Sequence, residues 1–465
     1  MACFNLMSSD IVHEILTSIP DFQTLSAAIR VSKAFYDVFQ AHPKLITHAI
    51  ARNVVGPALP QAARLAHYVH QRRPEGGDAR VPLPDESYFH GSQWELDRYM
   101  AAFFEQHARA VQTLEDFYSL RHKDRTSRSS ALEWHETLRF QRAVYRYMLC
   151  HELILYREFT PAKDPDATDS DEDEDEDQDD GMEDMQKTVQ SGLLKMFKDY
   201  PSEELFELLE ICAFAKDAKT WCLRACWETT FPLQSADVSP VNLRTLATQL
   251  EEPGAFDGTF PIPWFSENPI SYAAMENLRA RKVPEARFGE TPYGAIVTAT
   301  RGEKDHCSRC QAVCGLVLLG PSNMSTLAGI LSFRDKVLLL PGLLPRNREE
   351  QGLLLDHLRP AQRNVPDEIL VREMMEMELE GEDADDEQWS KDEWYCLECI
   401  KQLFRQRFML WWRKAKHENG APLQDDCWYG YNCRTMTHRP SHATKLNHLC
   451  KPTRGEAPQL APGNP

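Results

Sequence analysis

The stretch Cys427-Trp-Tyr-Gly-Tyr-Asn-Cys433, followed by His442 and His448, decides how the C-terminal end of this 465-residue chain folds. Five residues separate the two cysteines, and five separate the two histidines. Thiolate and imidazole donors at such spacings suit one tetrahedral zinc ion. A segment this short cannot bury a core of its own, so we expect a metal ion to hold it together. Two nearby residues are alternative ligands, His438 and Cys450.

A second group of cysteines lies upstream. Cys307 and Cys310 form one Cys-x2-Cys pair, and Cys396 and Cys399 form another after a gap of 85 residues. A Cys-x2-Cys turn lets two sulfurs face one ion, and a second pair completes the tetrahedron. The four cysteines therefore predict a second structural zinc site with a long insertion. Two neighbours could substitute as ligands, His306 and Cys314.

Charge is distributed unevenly along the chain, whose formal net charge is −19. Residues 164–184 contain 14 acidic residues and no Lys or Arg, and residues 373–387 contain nine more. The first run cannot bury enough apolar surface to offset chain entropy, so it predicts a disordered linker over residues 161–188. Residues 400–454 instead carry 11 Lys or Arg against three Asp or Glu. That end of the chain is expected to attract polyanions.

The N-terminus and the apolar runs bear on the cellular compartment. The first residues lack the basic region and the continuous apolar stretch of a cleavable signal. No apolar run has the length of a membrane span, so no membrane partner is expected. We predict a nuclear or cytoplasmic protein with reduced thiols, in which cysteine clusters are more often metal sites than disulfides.

Residues 1–50 predict a compact helical unit. Ile11, Ile15, Leu16 and Ile19 recur at helical spacing, and a second apolar run follows over residues 25–39. Two short helices cannot bury both apolar faces alone. We therefore expect a third element or a partner to cover the remainder.

This N-terminal unit resembles an F-box. The resemblance lies in Leu6-Met-Ser-Ser-Asp-Ile-Val-His-Glu-Ile-Leu16, Pro20, Leu25 and Val31-Ser-Lys-Ala-Phe35, with Met7 where the family usually has Pro. It implies docking on the Skp-type adaptor of a cullin-RING ubiquitin ligase. The docking surface that the resemblance implies consists of Leu6, Ile11, Ile15, Leu16, Ile19, Pro20 and Leu25.

The predicted fold is mainly α, with an F-box helical unit, a helical middle region and a C-terminal zinc-stabilised α+β module. Three apolar runs look strand-like, at residues 293–300, 316–319 and 336–340. The predicted domains are residues 1–50 (F-box), 51–160 (helical region), 161–188 (acidic disordered linker), 189–300 (helical, then Pro-rich), 301–400 (Cys-x2-Cys zinc-binding region with a long insertion), 401–454 (basic helix and zinc finger) and 455–465 (disordered tail).

Residues 426–454 resemble the poly(ADP-ribose)-binding zinc finger, in the variant that ends a checkpoint ubiquitin ligase with forkhead-associated and RING domains. The resemblance implies that Cys427, Cys433, His442 and His448 bind zinc and that Gly430 supplies a turn. Eight residues separate the second cysteine from the first histidine, more than in the common finger.

The ligand class implied by this resemblance has two phosphates and an adenine in each unit. A binding protein needs aromatic faces for the base and basic groups for the pyrophosphate. The candidate faces are Trp428, Tyr429 and Tyr431, and the candidate cations are Arg434, Arg439 and Lys445. A finger that binds nucleic acid, or one that only contacts protein, is the alternative.

The sequence contains no catalytic constellation. We expect a non-enzymatic substrate receptor that docks on a Skp-type adaptor and cullin scaffold and recruits poly(ADP-ribose) or poly(ADP-ribosyl)ated proteins. A stand-alone RING-like ligase is an alternative, although a RING needs eight interleaved ligands over a short span. A zinc deaminase ranks last, because the pattern His-x-Glu before Pro-Cys-x2-Cys is absent.

Overall fold

The chain is mainly α-helical in the residues that its computed structural model describes, as the sequence predicts. Within them, β pairing is limited to three isolated bridges. No described helix is both long and apolar enough to cross a membrane. The described residues are 7–72, 83–156, 159, 178–225, 240–251, 267–284, 294–358, 366–378, 389–420 and 424–454.

The N-terminal unit contains four helices, α1 (Ser9–Thr17), α2 (Phe22–Val31), α3 (Lys33–Ala41) and α4 (Pro43–Val55). The predicted second run divides at Ser32, whose extended backbone (φ −134°, ψ 126°) ends α2 and begins α3. The sequence predicts that a third element or a partner covers the apolar faces of the first helices, and helix α4 is that third element. The unit has its own buried core, made of Val12, Leu16, Ile19, Leu25, Phe35, Ile46 and Ile50.

The middle region is a bundle of long helices with one continuous apolar core. Where they are described, residues 51–160 and the first part of 189–300 are mainly helical, as the sequence predicts. Residues 161–177 of the predicted linker and the predicted tail, 455–465, lie outside the described residues. The rest of that linker is helical instead of disordered, because residues 178–188 belong to the helix Gln178–Phe197. The helices are α5 (Leu59–Gln71), α6 (Arg98–His122), α7 (Trp134–Leu155), α8 (Gln178–Phe197), α9 (Ser202–Ala225), α10 (Leu243–Glu251) and α11 (Pro269–Ala280).

The described part of the predicted strand at 293–300 is irregular backbone. Buried carboxylates of the bundle bind its amides, which a strand would need for its ladder. Glu210 accepts from the amides of residues 294–296, and Glu136 accepts from both the amide and the hydroxyl of Thr298. The strand prediction is therefore wrong, because side chains distant in sequence satisfy these groups.

The C-terminal module is built around one amphipathic helix, α15 (Leu397–Glu418), which buries Phe404, Phe408, Trp411 and Trp412. Cysteines from both predicted zinc sites belong to the same apolar core. The other α-helices in the described residues of the module are α12 (Phe333–Leu338), α13 (Arg348–Leu358), α14 (Asp367–Glu376) and α16 (Pro440–Lys445).

The predicted strands of this module are wrong. Ser332 and Asp335 form a capping box that begins a helix where a strand was expected over residues 336–340. Residues 316–319 begin in a 3-10 turn, and only Leu319 pairs, in a single bridge with Tyr395. The described residues of the module are therefore helical with isolated bridges, without the β part of the predicted α+β arrangement.

The bundle and the C-terminal module are in direct contact. The buried indole Nε1 of Trp221 in α9 donates to the carbonyl of Thr326 at 2.8 Å. Arg125, in the loop after α6, lies 4.5 Å above the ring of Trp394 and pairs with Asp305. Since Trp394 is two residues from a predicted zinc ligand, this contact joins the bundle to the first cysteine group.

Candidate metal centres

The first candidate centre brings both Cys-x2-Cys pairs together. The sulfurs of Cys307 and Cys399 are 3.6 Å apart, as are those of Cys310 and Cys396. All four sulfurs lie within 4.8 Å of one another. One zinc ion bound by four thiolates would place its sulfurs about 3.8 Å apart. The four side chains can therefore hold one metal ion.

Two local structures position these sulfurs. Cys307 begins a tight turn in which its carbonyl accepts from the amide of Gln311, a residue with a positive φ of 60°. Cys396 precedes helix α15, and Cys399 lies in its first turn. Because helix N-termini carry partial positive charge, they favour thiolates.

The thiols differ in their tendency to ionise. Burial raises the pKa of Cys307, but the backbone amides of Cys310, Cys396 and Arg309 donate to its sulfur and lower that pKa to about 6. Burial raises the pKa of both Cys396 and Cys399. A bound cation would therefore supply much of the charge that keeps all four sulfurs ionised.

The second candidate centre joins Cys427, Cys433, His442 and His448, whose donor atoms also lie within 4.8 Å of one another. The Nε2 atom of His442 is 3.3 Å from the Cys433 sulfur and 3.9 Å from the Cys427 sulfur. A tetrahedral zinc site with sulfur and nitrogen donors has spacings of about 3.3 to 3.8 Å. This group also fits a single metal ion.

Gly430 allows the turn between the two cysteines. Its φ is +42°, a region that other residues rarely adopt. A Cβ at this position would lie 2.2 Å from the carbonyl oxygen of Cys450. The turn glycine that the resemblance implies is therefore required here for both conformation and space.

The surroundings of His448 suit it to bind an ion at this centre. The ring is 1 % exposed, and neither nitrogen has a well-formed hydrogen bond among the described residues. Burial and the neighbouring His442 lower its pKa to about 4, although the backbone of Leu446 is close enough to oppose this shift. A buried, neutral imidazole without a protein partner is suited to coordinate a metal.

The alternative ligands stand outside both groups. His306 and His438 are exposed, and Cys314 is half-buried. Cys450 is buried, but its sulfur points to the carbonyls of Cys427 and Asn447. Each centre thus has four protein donors, which would leave no coordination position for a substrate or water and suits a structural ion.

The finger is also held by packing, which the sequence did not indicate. The carbonyl of Tyr431 accepts from the amide of Leu343 at 2.8 Å. Asn347 donates to the sulfur of Met436 at 3.6 Å, and α16 packs against α13. The finger is therefore part of the C-terminal module instead of a free-standing segment.

The predicted polymer-binding side chains are mostly accessible. Trp428 is 62 % exposed, and Tyr429 is also exposed, whereas Tyr431 is half-buried against the core. The three predicted cations are exposed, namely Arg434, Arg439 and Lys445. Sequence reasoning missed Arg454, whose guanidinium lies 4.3 Å above the ring of Trp428. In the sequence, only its positive charge and its position shortly after the last zinc ligand could have identified it as a binding residue.

The predicted adaptor-docking residues divide by burial. Ile11 and Pro20 are exposed and Ile15 is half-buried. Leu6 lies outside the described residues. The other three form part of the unit's own core, namely Leu16, Ile19 and Leu25. The accessible apolar surface of the unit includes Val31 and Tyr36, which were not in the predicted set.

Comparison with protein-family models, with curated proteins and with solved structures found no match for this chain.

Proposed function

We propose that this protein is the substrate-receptor subunit of a cullin-RING ubiquitin ligase. Its N-terminal unit docks on a Skp-type adaptor, and its C-terminal zinc module recruits poly(ADP-ribose) or poly(ADP-ribosyl)ated proteins. The observation that carries the proposal is the second metal centre, where a Cys2His2 ligand set supports a turn with exposed aromatic and basic side chains. The protein performs no chemistry itself and brings a target to a ubiquitin-loaded enzyme.

The N-terminal unit supports the docking role through its surface. The unit buries a core of its own, yet Ile11, Val31 and Tyr36 remain exposed on its four short helices. These side chains are available to a partner, and a contiguous exposed apolar patch is typical of an interaction surface. Buried Leu16 and Leu25 then shape the surface from below by fixing the helices.

The C-terminal module supports a binding role over a catalytic one. In both centres the donor set suits zinc, with four cysteines in one and two cysteines with two histidines in the other. The ligands of the first centre all precede those of the second in the chain. This order argues against a RING, whose two ligand sets are interleaved.

Adaptor docking is tested by co-expressing the full chain with a Skp-type adaptor. Ile11→Asp places a charge on the exposed face of α1, where the native side chain is 51 % exposed, so folding should persist. Leu338→Asp makes the same change at a 61 % exposed position in the C-terminal module and serves as the control. We expect only Ile11→Asp to reduce adaptor co-purification, by about tenfold or more. Equal recovery of both variants would refute the docking role.

Polymer binding is tested with the zinc-loaded full chain and poly(ADP-ribose), using single-stranded DNA of equal charge as competitor. We expect selective binding in moderate salt that a chelator abolishes. Equal affinity for the two polyanions would instead favour the nucleic-acid alternative, since stacking and charge alone tolerate either polymer. Zinc content without binding to either would leave a structural, protein-contacting finger.

A further inference from the structure

The chain after the last zinc ligand folds back onto the turn of the finger. The amides of Thr453 and Arg454 both donate to the carbonyl of Trp428 at 2.9 Å. The Tyr431 amide donates to the carbonyl of Cys450 at 3.1 Å. These bonds fix the backbone of residues 450–454 beside the exposed indole.

The side chain of Arg454 is fixed as well. Its guanidinium carbon lies 4.3 Å from the centre of the Trp428 ring, within the range of a cation–π contact. Arg454 is exposed and has no acidic partner among the described residues. A guanidinium stacked on a ring keeps its N–H donors directed outward in one plane, ready for a bidentate anion.

The three cations that the sequence predicted lack this support. Arg434, Arg439 and Lys445 are exposed, and in the described part of the chain no aromatic ring holds their charged groups. Ordering a free arginine on binding costs side-chain entropy, whereas Arg454 is already ordered by Trp428. Arg454 should therefore contribute more to affinity than a free cation of equal charge.

We propose that Arg454 and Trp428 together form a site for a phosphate that is linked to a stacked base. This inference rests on the proposed function and identifies the two side chains that would recognise its ligand. The pyrophosphate accepts from the Arg454 fork, and the adenine of the same unit stacks on the open face of Trp428 or on Tyr429. The site thereby selects base-bearing pyrophosphate over a polymer of phosphate alone.

The test measures binding of the full, zinc-loaded chain to poly(ADP-ribose) and to inorganic polyphosphate of equal charge. Arg454→Gln removes the charge of the fixed cation, and Arg439→Gln removes one charge from a free cation. We expect Arg454→Gln to weaken poly(ADP-ribose) binding about tenfold and Arg439→Gln about twofold. Both changes should weaken polyphosphate binding equally, because that ligand has no base to align.

Arg454→Lys separates orientation from charge. Lysine keeps the charge but loses the planar fork, so we expect binding to remain well below that of the native chain. Zinc content and the thermal unfolding midpoint should be unchanged, because all three variants alter exposed side chains. The inference would be overturned if Arg454→Lys bound poly(ADP-ribose) as tightly as the native chain, or if Arg454→Gln and Arg439→Gln lost equal affinity for it. Either result would leave the proposed function standing. Absence of poly(ADP-ribose) binding by the native chain would overturn both.

Discussion

Replacing Trp221 with phenylalanine tests whether the bundle and the C-terminal module are energetically joined. Trp221 is buried in α9, and its indole donates across the contact to the carbonyl of Thr326 at 2.8 Å. The backbone of Gly329 lies directly against the ring, since a Cβ there would be 2.2 Å from an indole carbon. Phenylalanine keeps an aromatic ring but lacks the donor and the full width of the indole.

The cost has two parts. A buried carbonyl left without its donor costs about 1–3 kcal/mol. The narrower ring leaves a void against Gly329, and at about 24 cal/mol per Å³ a void of about 40 Å³ adds about 1 kcal/mol. We therefore expect Trp221→Phe to lower the free energy of unfolding by about 2–4 kcal/mol.

The assay is urea unfolding followed by circular dichroism of the helices. With a slope of about 3 kcal/mol per molar urea, the loss moves the midpoint of the affected transition down by about 1 M. Trp134→Phe is the matched control, because Trp134 is 70 % exposed and the same change there should cost less than about 0.5 kcal/mol. If the two variants have the same urea midpoint, the contact contributes nothing to the free energy of unfolding and the reasoning is wrong.

The remaining predictions concern the two metal centres and one buried carboxylate. Cys399→Ser should lower bound zinc from two ions per chain to one in elemental analysis, while Cys314→Ser keeps both; unchanged zinc in Cys399→Ser would contradict the first centre. Gly430→Ala should also lose one zinc ion, because its Cβ would collide with the Cys450 carbonyl, and normal zinc content would refute that steric argument. Burial raises the pKa of Glu136, but hydrogen bonds from Lys123 and from backbone amides outweigh it and lower the pKa to about 2. The stability that Glu136 contributes is then fully present above 4.5, the ordinary pKa of a glutamate, and is lost as the pH falls toward 2. Glu136→Gln should flatten that part of the pH–stability curve measured by thermal unfolding, and an unaltered curve would show that Glu136 is not responsible.

The secondary-structure predictions succeeded or failed for physical reasons. Helices were found wherever apolar residues recurred at helical spacing, because burial of a stripe is encoded within a few turns. Short apolar runs were misassigned as strands, since periodicity alone cannot separate a short strand from a helix end or an irregular buried segment. At residues 336–338 the capping box of Ser332 and Asp335 decided the matter.

The candidate site was predictable to the level of its ligands. Cysteine and histidine spacing identified the same eight residues that the structure gathers into two groups. Spacing alone did not decide between His448 and its two alternatives. His438 is exposed, and the buried sulfur of Cys450 points to backbone carbonyls. The exposure of the predicted docking residues could not be inferred, because Leu16 and Leu25 share their helical period with residues on the surface.

The sequence by itself determined the helical class, the position of the basic end and the two ligand sets, because these depend on residue identity and on spacing within short windows. Only the tertiary structure decided that the finger packs on residues 343–347, that Arg125 reaches Trp394, and that Arg454 returns to stack on Trp428. Such contacts join segments that are far apart in the chain or that meet only because the chain folds back. They therefore depend on how whole elements pack together. No local pattern of residues records that outcome.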